Sequence, residues 1–147
     1  MRCVVQRVTE AAVRIDGELV GQAGKGFLLL IGVEVGDTAE DMDYIARKVP
    51  NLRIFEDENG KMNLSVKDEG GEILLISQFT LYGDCTHGNR PSFIAAARPE
   101  TAQPLYEIVK EELIGYGIPV CTGVFGADMK IEQYNDGPVS ILIESEA

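Results

Sequence analysis

Histidine is almost missing from this chain: His87 is the only one among 147 residues. A triad built on histidine would have to use it, yet no nucleophile-elbow motif surrounds Ser77 or any other serine. Cysteine is scarce too. Cys3, Cys85 and Cys121 are odd in number, far apart, and form no Cys-x-x-Cys pair. This argues against a disulfide framework and against a Cys/His zinc site, so no metal and no other cofactor is expected. A reducing, cytoplasmic setting suits such cysteine usage. No apolar run approaches the ~20 residues that cross a bilayer as a helix. The opening MRCVVQRVTEAAVRID lacks the continuous apolar centre and cleavage site of a secretory signal, and none is expected. Basic residues are outnumbered, 13 Lys and Arg against 24 Asp and Glu, for a formal net charge of −11. Long nucleic-acid backbones are gripped by Lys and Arg, so that class of binder is disfavoured. A protein that touches only the end of a nucleic acid is not.

What is present reads as one globular domain, residues 1–147, with hydrophobic residues at 45% and enough chain to bury a core. Residues 2–15 partly alternate, with Cys3, Val5, Arg7, Thr9, Ala11, Val13 and Ile15 on the inward face of a long strand. Arg7 on that face has two readings: a bulge turns it outward, or it points at something buried or at a second subunit. Asp16-Gly17 signals a hairpin into Glu18–Ala23. FLLLIGV is apolar on both faces, which predicts a strand covered on both sides.

Asp37 and Glu40 suggest a capping box opening a helix with Met42, Ile45, Ala46 and Val49 inside, ended by Pro50. LRIF and the alternating Met62, Leu64 and Val66 flank the turn at Asn59-Gly60. EILLISQFTLYGD reads as a second central strand. The second helix is expected over Thr101–Tyr116, with Pro104 in its first turn and Leu105, Ile108, Val109, Leu113 and Tyr116 buried. PVCTGVF, KIEQY and VSILIES read as closing strands. This order predicts an α+β fold: a curved, mostly antiparallel, barrel-like sheet with two main helices.

Two polar segments stand out. SQFTL, at 77–81, ends an apolar strand in hydroxyl and amide groups. Those groups serve either chemistry or the backbone as the strand leaves the core. NDGPVS, at 135–140, puts Gly137-Pro138 between two expected strands, where a plain turn is the simpler reading. Together these segments resemble the signature motifs of the D-aminoacyl-tRNA deacylases. MRCVVQRV, NLRIFEDENGKMNLS, RPSF and TGVFGADM resemble the same family in order and spacing, over nearly the whole chain. One departure is Ser140, where the family's motif usually ends in Thr; Pro50, His87 and Asn89 are also less typical.

The resemblance implies a homodimer that hydrolyses the ester between a D-amino acid, or glycine on mischarged tRNA, and the 3′-terminal ribose of tRNA. It implies a cis Gly137-Pro138 peptide that reaches across the dimer into the partner's site and selects chirality. Thr80, Phe79, Ser77 and Gln78 are then the reacting-site candidates, with Phe79 and Thr80 N–H groups as oxyanion donors and Thr80 positioning rather than attacking. Arg7, Phe125, Met129, Asn135 and Ser140 support the site, Arg7 by holding the Gly-Pro loop by its carbonyls. Arg2, Arg7, Arg53, Arg90 and Lys130 are candidates for a basic rim. A methyl on Gly137 is expected to cost turnover more than stability. The alternatives are a non-catalytic dimeric RNA-end binding module and a hydrolase of another small acyl ester.

Overall fold

The computed structural model describes residues 1–145. Its spine is β1 (Arg2–Ile15). One edge of β1 carries two strands in turn: β3 (Gly26–Gly32) along its first half and β2 (Glu18–Ala23) along its second. The other edge carries β8 (Lys130–Glu144) over nearly its whole length. All three pairings are antiparallel. β6 (Glu72–Ser77) then lies parallel to β3, and β7 (Val120–Thr122) parallel to β6. The sheet is therefore mixed. It curls until β2 nears β7: a Cβ on Gly21 would lie 2.6 Å from the Thr122 carbonyl oxygen, so only glycine permits this near-closure. β4 (Phe55–Glu56) and β5 (Met62–Leu64) form a separate small hairpin.

The doubly apolar run of β3 has its explanation in two cores. Phe27, Leu29 and Ile31 face the helices, beside Ile73 and Leu75 of β6. Leu28 faces the barrel interior with Leu74 and Ile76. β1 serves both. Cys3 and Val5 join the helical side, whereas Val8, Ala11 and Val13 fill the barrel. The face changes at Arg7 and Val8, where the pairing with β8 shifts register. Thr9, expected inward, is consequently exposed.

Helix α1 (Ala39–Asn51) buries Met42, Ile45, Ala46 and Val49 as its periodicity predicts. Its capping box is Thr38 with Asp41, one residue later than expected, and Pro50 lies inside the last turn. Helix α2 (Pro99–Gly115) starts earlier than expected, with Pro99 at its first position and Pro104 in its interior. Its buried side is Ala102, Tyr106, Val109 and Leu113; Ile108 and Tyr116, expected inside, are exposed. The expected strand 72–84 stops at Ser77. A 3₁₀ turn, Phe79–Tyr82, follows. KIEQY and VSILIES merge into the single strand β8. No helix among the described residues is long and apolar enough to cross a membrane.

Candidate active site

A cavity of about 560 Å³ opens where β3 and β6 end. Ile76, Met129 and Ile131 form its barrel side. Ala102, Tyr106 and Phe125 form the helical side. Tyr106 donates from its hydroxyl to the Leu75 carbonyl at 3.1 Å, and Phe125 meets its ring edge-on at 5.7 Å. Burial pushes the Tyr106 phenol well above its ordinary pKa, so it is a neutral fixed wall and no base. Charged lining is confined to Arg98 and Asp128. The mouth is aromatic: Phe79 is 56% exposed and packs edge-to-face on Phe93 at 5.2 Å. An exposed aromatic at a cavity mouth offers a face on which a nucleobase can stack.

Ser77, Gln78 and Phe79 line the cavity, and so do Phe125 and Met129. Thr80 does not; its hydroxyl accepts a hydrogen bond from the Gln78 side-chain amide. An amide is no base, so this contact positions the hydroxyl without activating it. The turn's backbone is more suggestive. Gln78 N–H donates to the Ile31 carbonyl at 2.7 Å, Leu81 N–H to Gln78 at 3.2 Å and Gly83 N–H to Thr80 at 3.0 Å. The N–H groups of Phe79 and Thr80, first in the turn, have no partner among the described residues. Two adjacent free donors at a cavity edge form the kind of pair that stabilises an oxyanion. No thiol competes as nucleophile in the core, where burial pushes Cys3 up to about 12.

The second motif lies elsewhere on the chain. Between the pairs Val8–Asn135 and Gln6–Ser140, β8 takes five residue steps where β1 takes two, so the intervening segment bulges out of the ladder. Gly137 and Pro138 sit on this bulge, exposed, and their peptide is cis. Arg7 is buried beneath. Its Nε donates to the Asp136 carbonyl at 3.0 Å and its Nη1 to the Ile54 carbonyl at 2.7 Å. Asn135, Gly137, Pro138, Ser140 and Arg7 do not line this cavity. Ser140 lies 3.5 Å from the Gln6 side-chain amide, a contact that needs only a hydroxyl.

Gly137 has φ +126°, and a Cβ there would meet Val139 Cγ2 at 2.8 Å and Arg7 Nη2 at 3.2 Å. A methyl is therefore not structurally cheap, contrary to the expectation for an exposed loop. The expected basic rim is also thinner than supposed. Arg7 is internal, Arg2 pairs with Glu144, Arg53 bonds to Asn63 and Lys130 pairs with Asp128, while Arg90 stays exposed. Arg98, at the mouth and largely exposed, was missed: arginines opening a helix give no sequence sign of facing a cavity. Tyr106 was missed although it stands three and seven residues before Val109 and Leu113, on the face its helix buries.

A family model described as D-Tyr-tRNA(Tyr) deacylase matches residues 4–144. The curated D-aminoacyl-tRNA deacylase of Brevibacillus brevis is 56% identical over 145 residues, 99% of this chain and 100% of that one. That of a Geobacillus species is 57% identical over 146 residues, 99% of this chain and 96% of that one. A solved structure described as c-Myc DNA Unwinding Element Binding Protein has a TM-score of 0.93 at 42% identity, over the whole of both chains. A probable eukaryotic D-amino acid tRNA deacylase has a TM-score of 0.83 at 16% identity, over 97% of this chain and 98% of that one, a likeness of fold.

Proposed function

This chain belongs to the D-Tyr-tRNA(Tyr) deacylase family, and from that premise we propose where and how it acts. Its activity is hydrolysis of the ester of D-aminoacyl-tRNA, releasing the D-amino acid and free tRNA. We read residues 1–147 as one deacylase domain, working in the cytoplasm without metal or cofactor. The cavity at the end of β6 receives the 3′ end of the tRNA, with Phe79 at its mouth. Water adds to the acyl carbon. The developing oxyanion lies against the Phe79 and Thr80 N–H groups. The bond from the acyl carbon to the ribose oxygen breaks, and that oxygen takes up a proton. An aminoacyl ester is already activated, and the neighbouring ribose hydroxyl assists the proton's passage, so no strong side-chain base is required.

The observation that carries this reading is the pair of unpartnered N–H groups in the turn that starts at Phe79, at the mouth of the cavity. The protein acts as a homodimer in which Gly137-Pro138 of one subunit reaches the cavity of the other. The separation of the two motifs on one subunit supports this arrangement, because Gly137 and Pro138 are exposed and line no part of their own cavity. Packed there, they exclude an L side chain and admit a D side chain or the hydrogen of glycine. A net charge of −11 suits contact restricted to a tRNA end and argues against a duplex-DNA grip.

The test is hydrolysis of matched D- and L-aminoacyl-tRNA and glycyl-tRNA, with a short D-aminoacyl ester alongside. Rapid release from D-aminoacyl- and glycyl-tRNA, with L spared, is expected. Equal rates for D and L would overturn the selectivity. Binding without release would leave only an RNA-end binding module.

A further inference from the structure

We propose that Arg2 is a positioning residue for deacylation, clamping the far end of the Phe79–Tyr82 turn so that the Phe79 and Thr80 N–H groups keep their aim. This rests on the reading of those groups as oxyanion donors. A four-residue 3₁₀ turn cannot orient itself, because its internal bonds are few and of poor geometry. The structure supplies three external restraints. The near end is tied to β3 by Gln78 N–H on the Ile31 carbonyl. The floor is the bare Cα of Gly32: a Cβ there would stand 2.9 Å from the Gln78 carbonyl oxygen and 3.3 Å from both Leu81 Cβ and Tyr82 Cδ2.

The far end is held by Arg2, the register partner of Gly32 on β1. Arg2 Nη1 donates to the Leu81 carbonyl at 2.8 Å, and its guanidinium lies 4.6 Å from the centre of the Tyr82 ring. Its Nε donates to Glu144 Oε1 at 2.8 Å. A planar fork can serve carboxylate, carbonyl and ring face at once; a lysine ammonium cannot. Arg2 does not line the cavity, so its influence on the reaction passes through the turn.

Kinetics and amide hydrogen exchange on the intact enzyme test this. In Arg2→Met, kcat for D-aminoacyl-tRNA is expected to fall about tenfold with KM unchanged, the mark of donors misplaced in the transition state. Exchange at the Leu81 and Gly83 amides, which close the turn, quickens. Arg2→Lys lies between Arg2→Met and wild type, and Glu144→Gln, which keeps the guanidinium, falls less. Combining Glu144→Gln with Arg2→Met adds nothing further. If Arg2→Met does not fold, Arg2→Lys and Glu144→Gln carry the test. Unchanged exchange in variants that fold, or a rise in KM alone, overturns the proposal. Gln78→Ala separates it from its premise. If Gln78→Ala lowers kcat and the Arg2 variants do not, the role of Arg2 falls and the site stands. If both loosen the turn without lowering kcat, the oxyanion reading falls and the role of Arg2 with it.

Discussion

Arg7 holds Asp136 twice: its Nε donates to the Asp136 carbonyl at 3.0 Å and lies 3.6 Å from the carboxylate. The same guanidinium reaches the Ile54 carbonyl, so one buried cation ties the bulge of β8 to the segment before β4. Arg7→Met removes both carbonyl contacts. Its expected cost is about 3 kcal/mol, the scale of two hydrogen bonds from a charged donor. Urea unfolding checks it. Turnover of D-aminoacyl-tRNA should fall as well, because the residue next to Gly137 loses its anchor.

Gly137→Ala should lower both stability and turnover. Its Cβ meets Val139 and the Arg7 guanidinium, at a backbone angle side chains rarely adopt. About 1–3 kcal/mol is expected from that strain, measured by thermal unfolding. Subunit mixing isolates the functional part. A Gly137→Ala dimer exchanged with a Thr80→Ala dimer should regain activity, since each mixed dimer holds one cavity with both motifs intact. No regain after demonstrated exchange would refute contribution from the partner.

Thr80→Ala should slow deacylation by no more than about tenfold, the loss of a supporting contact rather than a nucleophile. Among the described residues, its only side-chain partner is the Gln78 amide. Mass spectra of acid-quenched wild-type enzyme should contain no acyl adduct. An adduct mapped to Thr80 would reverse the assignment.

Asp41 should make stability fall in acid. Burial raises its pKa, but hydrogen bonds from Ser145 and Thr38 outweigh this, and the net shift is downward from 3.8. A carboxylate with a depressed folded pKa contributes stability above its unfolded value. That contribution is lost as pH falls through the folded value, below about 4. Denaturant titrations from pH 6 to 2 should therefore show a shallower acid decline for Asp41→Asn. Its capping contribution, about 1 kcal/mol, should already be missing at pH 6.

The inward stripe of α1 and the doubly covered β3 were legible because period and burial agree there. The turn at Phe79 was not. SQFTL alternates as a strand does, and the room for the turn comes from the bare Cα of Gly32, distant in sequence. The offset stripe of α2 has a similar cause. The Tyr106 hydroxyl finds a carbonyl on β6, which settles the helix on Tyr106 rather than on Ile108. The cavity's floor was partly readable and its far wall was not, because Tyr106 and Arg98 join it only through tertiary packing.

The pairing of β1 with β8 also sets a timetable for the ribosome. Arg2 and Glu144 face each other across that ladder, so β1 leaves the exit tunnel long before β8, its longest partner. At ordinary translation speeds the wait is on the order of ten seconds. During it, one edge of β1 stays open for pairing with any other nascent strand. Chaperones that bind extended segments would therefore have a clear target in β1.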